Sequence, residues 1–516
     1  MSQGESLSSK DSHRSYAEWF TLAVIVSAAL AVRCIGLDRL SLWTDEIHSV
    51  WIAKLSFWDF WANPTLVDHP PLYFVLLKIW LSAGDSECWI RLFSALCGTA
   101  AIPALYVLSR RVGGPVFARW AAVFLALSPF HVRYSQEARG YALLFLLSVL
   151  LLLAASCLRE RPSNRRLWWF YAVTATGLTA THAVGILYVL CVSFAFLVPL
   201  REWRSLFRPW LAVHIRFLLI ASPVLVLLAQ QAVFKAYSGF WQTPPGIAEI
   251  LSTMREYLYT AMPSVEYLVR KSTGLSILPI PLETFAFVPF LALMVTSLLL
   301  AYRRRDTQLL RVALPGGLFF VLTVILSYGS VSVFAARTGI PSLVLVPLLL
   351  AYSPSFCAPG KSNRVFLVIG VVCIALSALS LYSDFKTYKK EDWRGLVKTL
   401  AREIQPGDIV FHWQYITGLG LEHYGEKYGI TNPIIGVPQG YREAIFTPYT
   451  QVTEERINGV VRRAVNANRR VWVVQYRELE CLSPLESQLV DLGFAMKNSR
   501  RFVVLDLILY DRPPAS

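Results

Sequence analysis

A chain of 516 residues that is 55% hydrophobic and only 16% charged, with a mean hydropathy of +0.47, is not a string of ordinary soluble domains. Apolar runs near the length of a hydrocarbon core recur along its first three quarters and predict a polytopic α-helical membrane protein. The formal charge of +15 would suggest nucleic acid in a soluble protein, but here Lys and Arg collect in short loops between apolar runs, so the excess reads as topology and a nucleic-acid partner is excluded.

The first residues, Met1 to Ser15, are polar and Ser-rich with no cleavable signal pattern, so 1–17 reads as a cytoplasmic tail before an anchor that stays. About 11 crossings are predicted, at 18–37, 89–109, 115–133, 140–158, 167–181, 183–200, 215–233, 281–302, 308–330, 338–354 and 364–383. Pro70 to Ala83 is apolar over about 14 residues, short for a crossing and typical of an interfacial helix. Leaving it out places Arg110-Arg111, the Arg159–Arg166 and Arg201–Arg208 loops, Arg303 to Arg305 and Lys361 to Arg364 on the cytoplasmic side. Counting it inverts all of them. The expected topology therefore has one large outer loop, 38–88, carrying juxtamembrane helices, and a C-terminus that also faces out. The turn after Tyr134 and the loop 234–280 share that face. The second, with Tyr237, Trp241, Tyr257 and several prolines, is either a cover over a site or a connector.

From about Asp384 the composition shifts. Residues 405–411, 470–476 and 501–510 read as strands, and 391–403 and 452–467 as amphipathic helices, giving a C-terminal α/β soluble domain over 384–516 after a membrane domain over 18–383. No phosphate-cradling Gly loop opens it. The eight cysteines are scattered without CxxC or His/Cys clusters, so no zinc or redox site is readable.

Polar groups collect at the outer ends of the predicted helices. Asp45, Glu46 and His48 open the outer loop, and Asp68-His69-Pro70-Pro71 closes it. Tyr134, Glu137 and Arg139 form the next outer turn, with His182, Arg33, Arg91, Arg133 and Arg337 at other outer ends. Taken singly each has a plain explanation: an exposed loop for Asp45-Glu46, a helix cap for Asp68, a solvated turn for Glu137 and Arg139, snorkelling for Arg33 and Arg91, a structural histidine for His182. Together they converge on one membrane face, where charge is costly. The mix suits displacement of a phosphate leaving group by a hydroxyl. A carboxylate would act as general base, Arg or protonated His would stabilise the departing phosphate, and a second carboxylate would orient the acceptor or hold a divalent cation, with Asp45 and Glu137 as the pair considered.

At these residues the chain resembles the GT-C superfamily of multipass glycosyltransferases, in particular the bacterial members akin to protein O-mannosyltransferases and the lipid A aminoarabinose transferase. The matching text is WTDEIHS, DHPPLYFVLLKIW, RLFSALCGTAAIPALYVLSRRVGG and FARWAAVFLALSPFHVRYSQEARGYALL, strongest over about residues 17–200, while KKEDWRGLVKTL followed by PGDIV resembles the outer domain of some members. The resemblance implies a GT-C-like fold, a polyprenyl-phosphate-linked sugar as donor, and transfer with inversion on the outer face of a bacterial inner membrane. It implies Asp45 as catalytic base with Glu46 beside it, Asp68 and His69 as an acidic-basic pair near the donor phosphate, Glu137 as a second acidic residue and Arg337 as a phosphate contact. The outer-end polar groups read above add Arg139 and Arg91 toward the donor phosphate, and His48 and Tyr134, with Asp68 and Glu137, toward substrate or metal. The implied partners are that lipid-linked sugar, membrane lipid, and an acceptor glycan, lipid or protein. Two other functions compete. A diphosphate-linked oligosaccharide transferase would depend on a metal at Asp45 and Glu137. A lipid-linked sugar flippase would show internal repeats or broken helices with polar groups at mid-membrane, and neither is evident.

Overall fold

The long apolar runs of the first three quarters form helices, several of which stop at Gly, Pro or a capping side chain. The computed structural model describes residues 2–62, 69–198, 203–238, 243–260, 282–329, 331–356, 361–413, 415–437, 454–465, 469–477 and 483–512. Helix α1 is Ser2–Cys34, and the first loop carries α2 (Thr44–Lys54), α3 (Asp59–Ala62) and α4 (Leu72–Leu81). At ten residues, α4 spans about 15 Å, half a hydrocarbon core, in keeping with the expected non-crossing helix. It buries Tyr73, Phe74 and Leu77.

The next two predicted crossings run together as α5 (Glu87–Ala126), broken at Gly114, whose φ of 77° and ψ of −174° are left-handed and extended values that only Gly adopts freely. Pro115 follows and could not continue the first helix. The expected span 115–133 ends early, at Ala126. Ser128 accepts a hydrogen bond from the His131 amide and Pro129 sits at the first helical position, which starts a separate short helix, α6 (Pro129–Ser135). Then come α7 (Tyr141–Glu160), α8 (Arg165–Thr181), α9 (Val184–Phe196), α10 (Trp203–Ser238), α11 (Ile247–Leu258), α12 (Leu282–Arg304), α13 (Thr307–Leu326), a 3-10 turn over Ile340–Val344, α14 (Leu345–Phe356) and α15 (Lys361–Thr387).

Among the described residues seven helices are long and apolar enough to cross a membrane, and α5 holds two of the predicted crossings. The predicted crossings 183–200 and 338–354 form shorter elements, Val184–Phe196 and Ile340–Phe356. Thus the chain is a multi-pass helical membrane protein, with a large core uniting α5, α7, α8, α9 and the later helices.

After α15 come α16 (Trp393–Glu403), β1 (Ile409–Trp413), α17 (Tyr415–Lys427), β2 (Ile434–Val437), α18 (Glu454–Val465), β3 (Arg470–Tyr476), α19 (Ser483–Asp491), β4 (Ala495–Phe502) and β5 (Leu505–Asp511). The sheet order is β2-β1-β3-β5-β4, with β1 parallel to β2 and β3, and β5 antiparallel to β3 and β4. Side chains alternate as a strand requires. Ile409, Phe411, Val471 and Val473 pack toward α18 and α19, whereas Val410, Trp472 and Val474 face α16 and α17. Two strands, β2 and β4, and the helices α17 and α19 lie outside the predicted set. For β4 the reason is plain: AMKNSRRF is polar and exposed along nearly its whole length, so it carries no hydrophobic period.

The face of the sheet toward α16 also holds Leu42, Ile47 and Val50 of the first loop, together with Ile90 and Ala138. The C-terminal sheet region and the loop bearing Asp45 therefore share one core. Gly420 of α17 lies against the buried Trp393, and a Cβ there would sit 2.3 Å from the indole. Gly420→Ala should destabilise the protein by about 1–3 kcal/mol, read as a lower melting temperature of the detergent-purified chain; an unchanged melting temperature would show that α17 can shift freely.

Candidate active site

The site is organised by the first turn of α2. Trp43 is extended (φ −90°, ψ 169°) and its amide donates to the Glu46 carboxylate at 3.3 Å, so the third residue of the helix folds back to satisfy the residue before it. Acidic side chains are favoured there by the helix dipole. Because successive residues on a helix are rotated by about 100°, Asp45 and Glu46 cannot face the same way, and they do not.

Glu46 points inward and is fully buried. Its oxygens receive Arg91 Nε at 2.8 Å and Nη2 at 2.6 Å, the Ala138 amide at 2.9 Å, and Lys390 Nζ at 3.3 Å. Burial alone would raise its pKa, but the Arg91 and Lys390 charges, with the hydrogen bonds from Arg91 and Ala138, override it and hold the carboxyl at about 2. Arg91 in turn gives its remaining donors to the carbonyls of Leu37 at 2.5 Å, Leu40 at 2.7 Å and Ser41 at 2.8 Å. All five guanidinium N–H groups are thus engaged. Arg91, expected toward a donor phosphate, spends its donors within the protein and ties the first loop to α5.

Asp45 points the other way, and its side chain is 31% exposed. Its Oδ2 lies 3.3 Å from Arg337 Nη1 and 3.9 Å from Arg139 Nη2. Arg139 also donates to the Asp45 carbonyl at 3.2 Å and to His69 Nε2 at 3.0 Å. The His69 and His182 rings are 5.1 Å apart, and with Tyr141, Tyr73 and Ser49 they line a small cavity next to Arg139. Asp45, His69, Arg139, Arg337 and His182, far apart in sequence, are brought together. Arg337 arrives on a turn held by Thr338, whose hydroxyl donates to the Val333 and Ala335 carbonyls. The Tyr257 hydroxyl of α11 donates to the Ala336 carbonyl, and the missing side chain of Gly339 leaves room for it.

The other predicted residues fall to the side or behind. Glu137 is buried, with Lys390 Nζ 3.2 Å from its Oε1. Tyr134 packs edge-on to Tyr141 at 5.3 Å, and His48 stacks on Trp51 at 5.8 Å. Asp68 and Trp241 lie outside the described residues. Arg33 does not snorkel: it is buried, donating to the Leu125 and Ala126 carbonyls at the end of α5 and meeting His131 at 2.8 Å. Arg133 pairs with Asp384 and lies over the Tyr388 ring. Residues 388–393 and Tyr476 are the part that sequence reasoning missed. Lys390 bridges Glu46 and Glu137, and Glu391 accepts from the Thr44 amide. The signal was the KKED run after the last crossing, which by itself reads as a solvated span end.

Asp45 and Glu137, the pair considered for a divalent cation, each face cationic side chains instead of one another. The first is flanked by two guanidinium groups and the second by an ammonium, and among the described residues no three His, Cys, Asp or Glu side chains are grouped to hold a metal. The same arrangement of one open carboxylate among cations suits an anionic ligand beside a group that can accept a proton.

Residues 68–227 match the family model for dolichyl-phosphate-mannose-protein mannosyltransferase. No curated protein sequence matches the chain. Among solved structures the chain is similar to ArnT from Cupriavidus metallidurans bound to undecaprenyl phosphate, with 13% identity over 94% of this chain and 97% of that one and a TM-score of 0.59. It is also similar to the archaeal oligosaccharyltransferase AglB from Archaeoglobus fulgidus in complex with an inhibitory peptide and a dolichol-phosphate, with 13% identity over 94% and 73% of the two chains and a TM-score of 0.53. The arabinofuranosyltransferase AftD from Mycobacteria aligns at 15% identity over 95% of this chain and 39% of its own, with a TM-score of 0.50. At these identities the likenesses establish the fold, a helical membrane domain followed by a small C-terminal sheet.

Proposed function

We propose that this chain, which has the fold of the GT-C glycosyltransferases, moves a sugar from a polyprenyl-phosphate-linked donor to a hydroxyl acceptor, with inversion, on the outer face of a bacterial inner membrane. One observation carries the reading: Asp45 is half-open between Arg337 and Arg139, while the neighbouring carboxylates Glu46 and Glu137 are buried against Lys390. Asp45 takes the proton of the acceptor hydroxyl as its oxygen bonds to the anomeric carbon. The bond from that carbon to the phosphate oxygen breaks, and the electron pair leaves with the phosphate. Arg139 and Arg337 receive the developing charge, and His69 accepts a hydrogen bond from Arg139 that orients it. A single displacement inverts the anomeric centre. The undecaprenyl phosphate and dolichol-phosphate bound to the fold neighbours agree with this donor class.

In this reading the expected orientation has the N-terminus cytoplasmic and the C-terminal sheet outside, on the side of Asp45. Catalysis is carried by side chains alone, so transfer is expected to persist in excess chelator; loss of transfer restored by a divalent cation would favour the metal-dependent diphosphate-donor alternative. The direct test is mass analysis of glycolipids and envelope glycans from cells with and without the protein. One glycan species should lose a sugar on deletion and regain it with the wild-type chain. Identical profiles would overturn the assignment.

A further inference from the structure

We infer that the C-terminal region is a working part of the active site, and that Glu391 is a positioning residue that caps the helix carrying Asp45. The inference rests on the reading of Asp45 above. A helix leaves its first amides without partners, and a residue with a side-chain oxygen just before the helix usually supplies one. Here that place is held by Trp43, which has no side-chain acceptor. Its substitute comes from 347 residues away: Glu391 Oε2 accepts from the Thr44 amide at 2.8 Å and from the Thr44 hydroxyl at 2.5 Å. A carboxylate at that end is also favoured by the helix dipole.

Glu391 is itself held. The buried Trp393 indole donates to the same oxygen at 2.7 Å. The Thr44 hydroxyl meets the Tyr476 hydroxyl, at the end of β3, at 2.6 Å. Burial first, and then the Glu391 charge, push the Tyr476 phenol well above its ordinary range, so it stays protonated as a neutral partner. The sheet thus grips the residue immediately before Asp45. Next to Glu391, Lys390 bridges Glu46 and Glu137. Glu137 is two residues before Arg139, and Glu46 also accepts from the Ala138 amide. Two adjacent residues after the last crossing therefore reach both sides of Asp45, one holding its helix and the other holding the turn that bears Arg139. A misplacement of about 1 Å at a reacting group can lower a rate by about 10²-fold.

The test compares full-length Glu391→Ala, Glu391→Gln, Tyr476→Phe and Asp45→Asn chains in cells lacking the native protein, at matched membrane levels. Product is measured as the restored glycan, and each purified variant is assayed for undecaprenyl phosphate binding. Glu391→Ala should lower product formation about 10²-fold while undecaprenyl phosphate binding stays within about threefold of wild type. Glu391→Gln keeps an acceptor oxygen and should recover most of the loss, and Tyr476→Phe, which leaves the Thr44 amide bond intact, should lower product formation only a few-fold. Binding lost in parallel with product would mark Glu391 as merely structural and overturn the inference. So would wild-type product formation by Glu391→Ala while Asp45→Asn is inactive. If Glu391→Ala does not reach the membrane, Glu391→Gln and Tyr476→Phe decide: both indistinguishable from wild type in product formation overturns it. An active Asp45→Asn would instead remove the reading on which the inference rests, independently of Glu391.

Discussion

Asp45→Asn is expected to reduce sugar transfer by about 10²–10⁴-fold, the usual effect of removing a general base, with the protein still inserted and folded. The substitution keeps the size of the side chain and removes its ability to take a proton at neutral pH. Folding should tolerate it because Asp45 and Arg337 are each about 30% exposed, and an ion pair so placed contributes roughly 0–1 kcal/mol. The first-turn geometry of α2 does not depend on the Asp45 carboxylate, since the helix start is capped through Glu46 and Glu391. The measurement is restored glycan in cells, with melting temperature and gel-filtration profile of the purified variant as controls. Full transfer by a folded Asp45→Asn chain would remove Asp45 from the chemistry.

Glu46→Gln tests the opposite role for the adjacent carboxylate, and its effect should appear in stability. Both partners of the Glu46–Arg91 pair are buried, at 0% and 3% side-chain exposure, so neutralising Glu46 leaves a guanidinium in the interior without its counter-charge. Breaking one side of such a pair costs about 3–5 kcal/mol, enough to lower the melting temperature by several degrees or to prevent accumulation in the membrane. Lys390 would also lose one of its two acidic partners. The pH dependence follows in sign. The folded-state pKa of Glu46 is depressed to about 2 from an ordinary 4.5, so its stabilisation is complete above pH 4.5 and is lost as the pH falls from there through 2. Wild type should therefore lose stability over that acid window, and a Glu46→Gln chain that folds should lose less across it. A Glu46→Gln chain as stable as wild type at neutral pH would show that the network carries no net stability.

These two predictions separate residues that the sequence presents as a pair. Hydropathy places the helices because each crossing is a local property of about 20 residues, and eight of the eleven predicted apolar runs begin within a few residues of the start of a helical element; the other three, 18–37, 115–133 and 215–233, begin inside the longer α1, α5 and α10. Strands β1, β3 and β5 were legible for the same reason, since their β-branched and aromatic composition is written in neighbouring residues. Carboxylates and arginines gathered at one end of the bundle were also legible, because charge beside an apolar run is visible in the chain. The direction each side chain faces was not. Asp45 and Glu46 differ by one step around a helix, and only the packing of α2 on α5 and on the sheet decides that one meets Arg337 and the other Arg91. Likewise Lys390 and Glu391 end an apolar span like many charged residues in such proteins, and no local pattern distinguishes them. Their role depends on contacts across 344 and 347 residues, which exist only after the bundle closes and the sheet settles against the first loop. By itself the sequence determined the kind of protein and the end of the bundle where its polar groups gather. The tertiary structure alone decided which carboxylate is free to act and which charges hold it in place, because burial and partner choice are properties of packed surfaces and not of the chain that forms them.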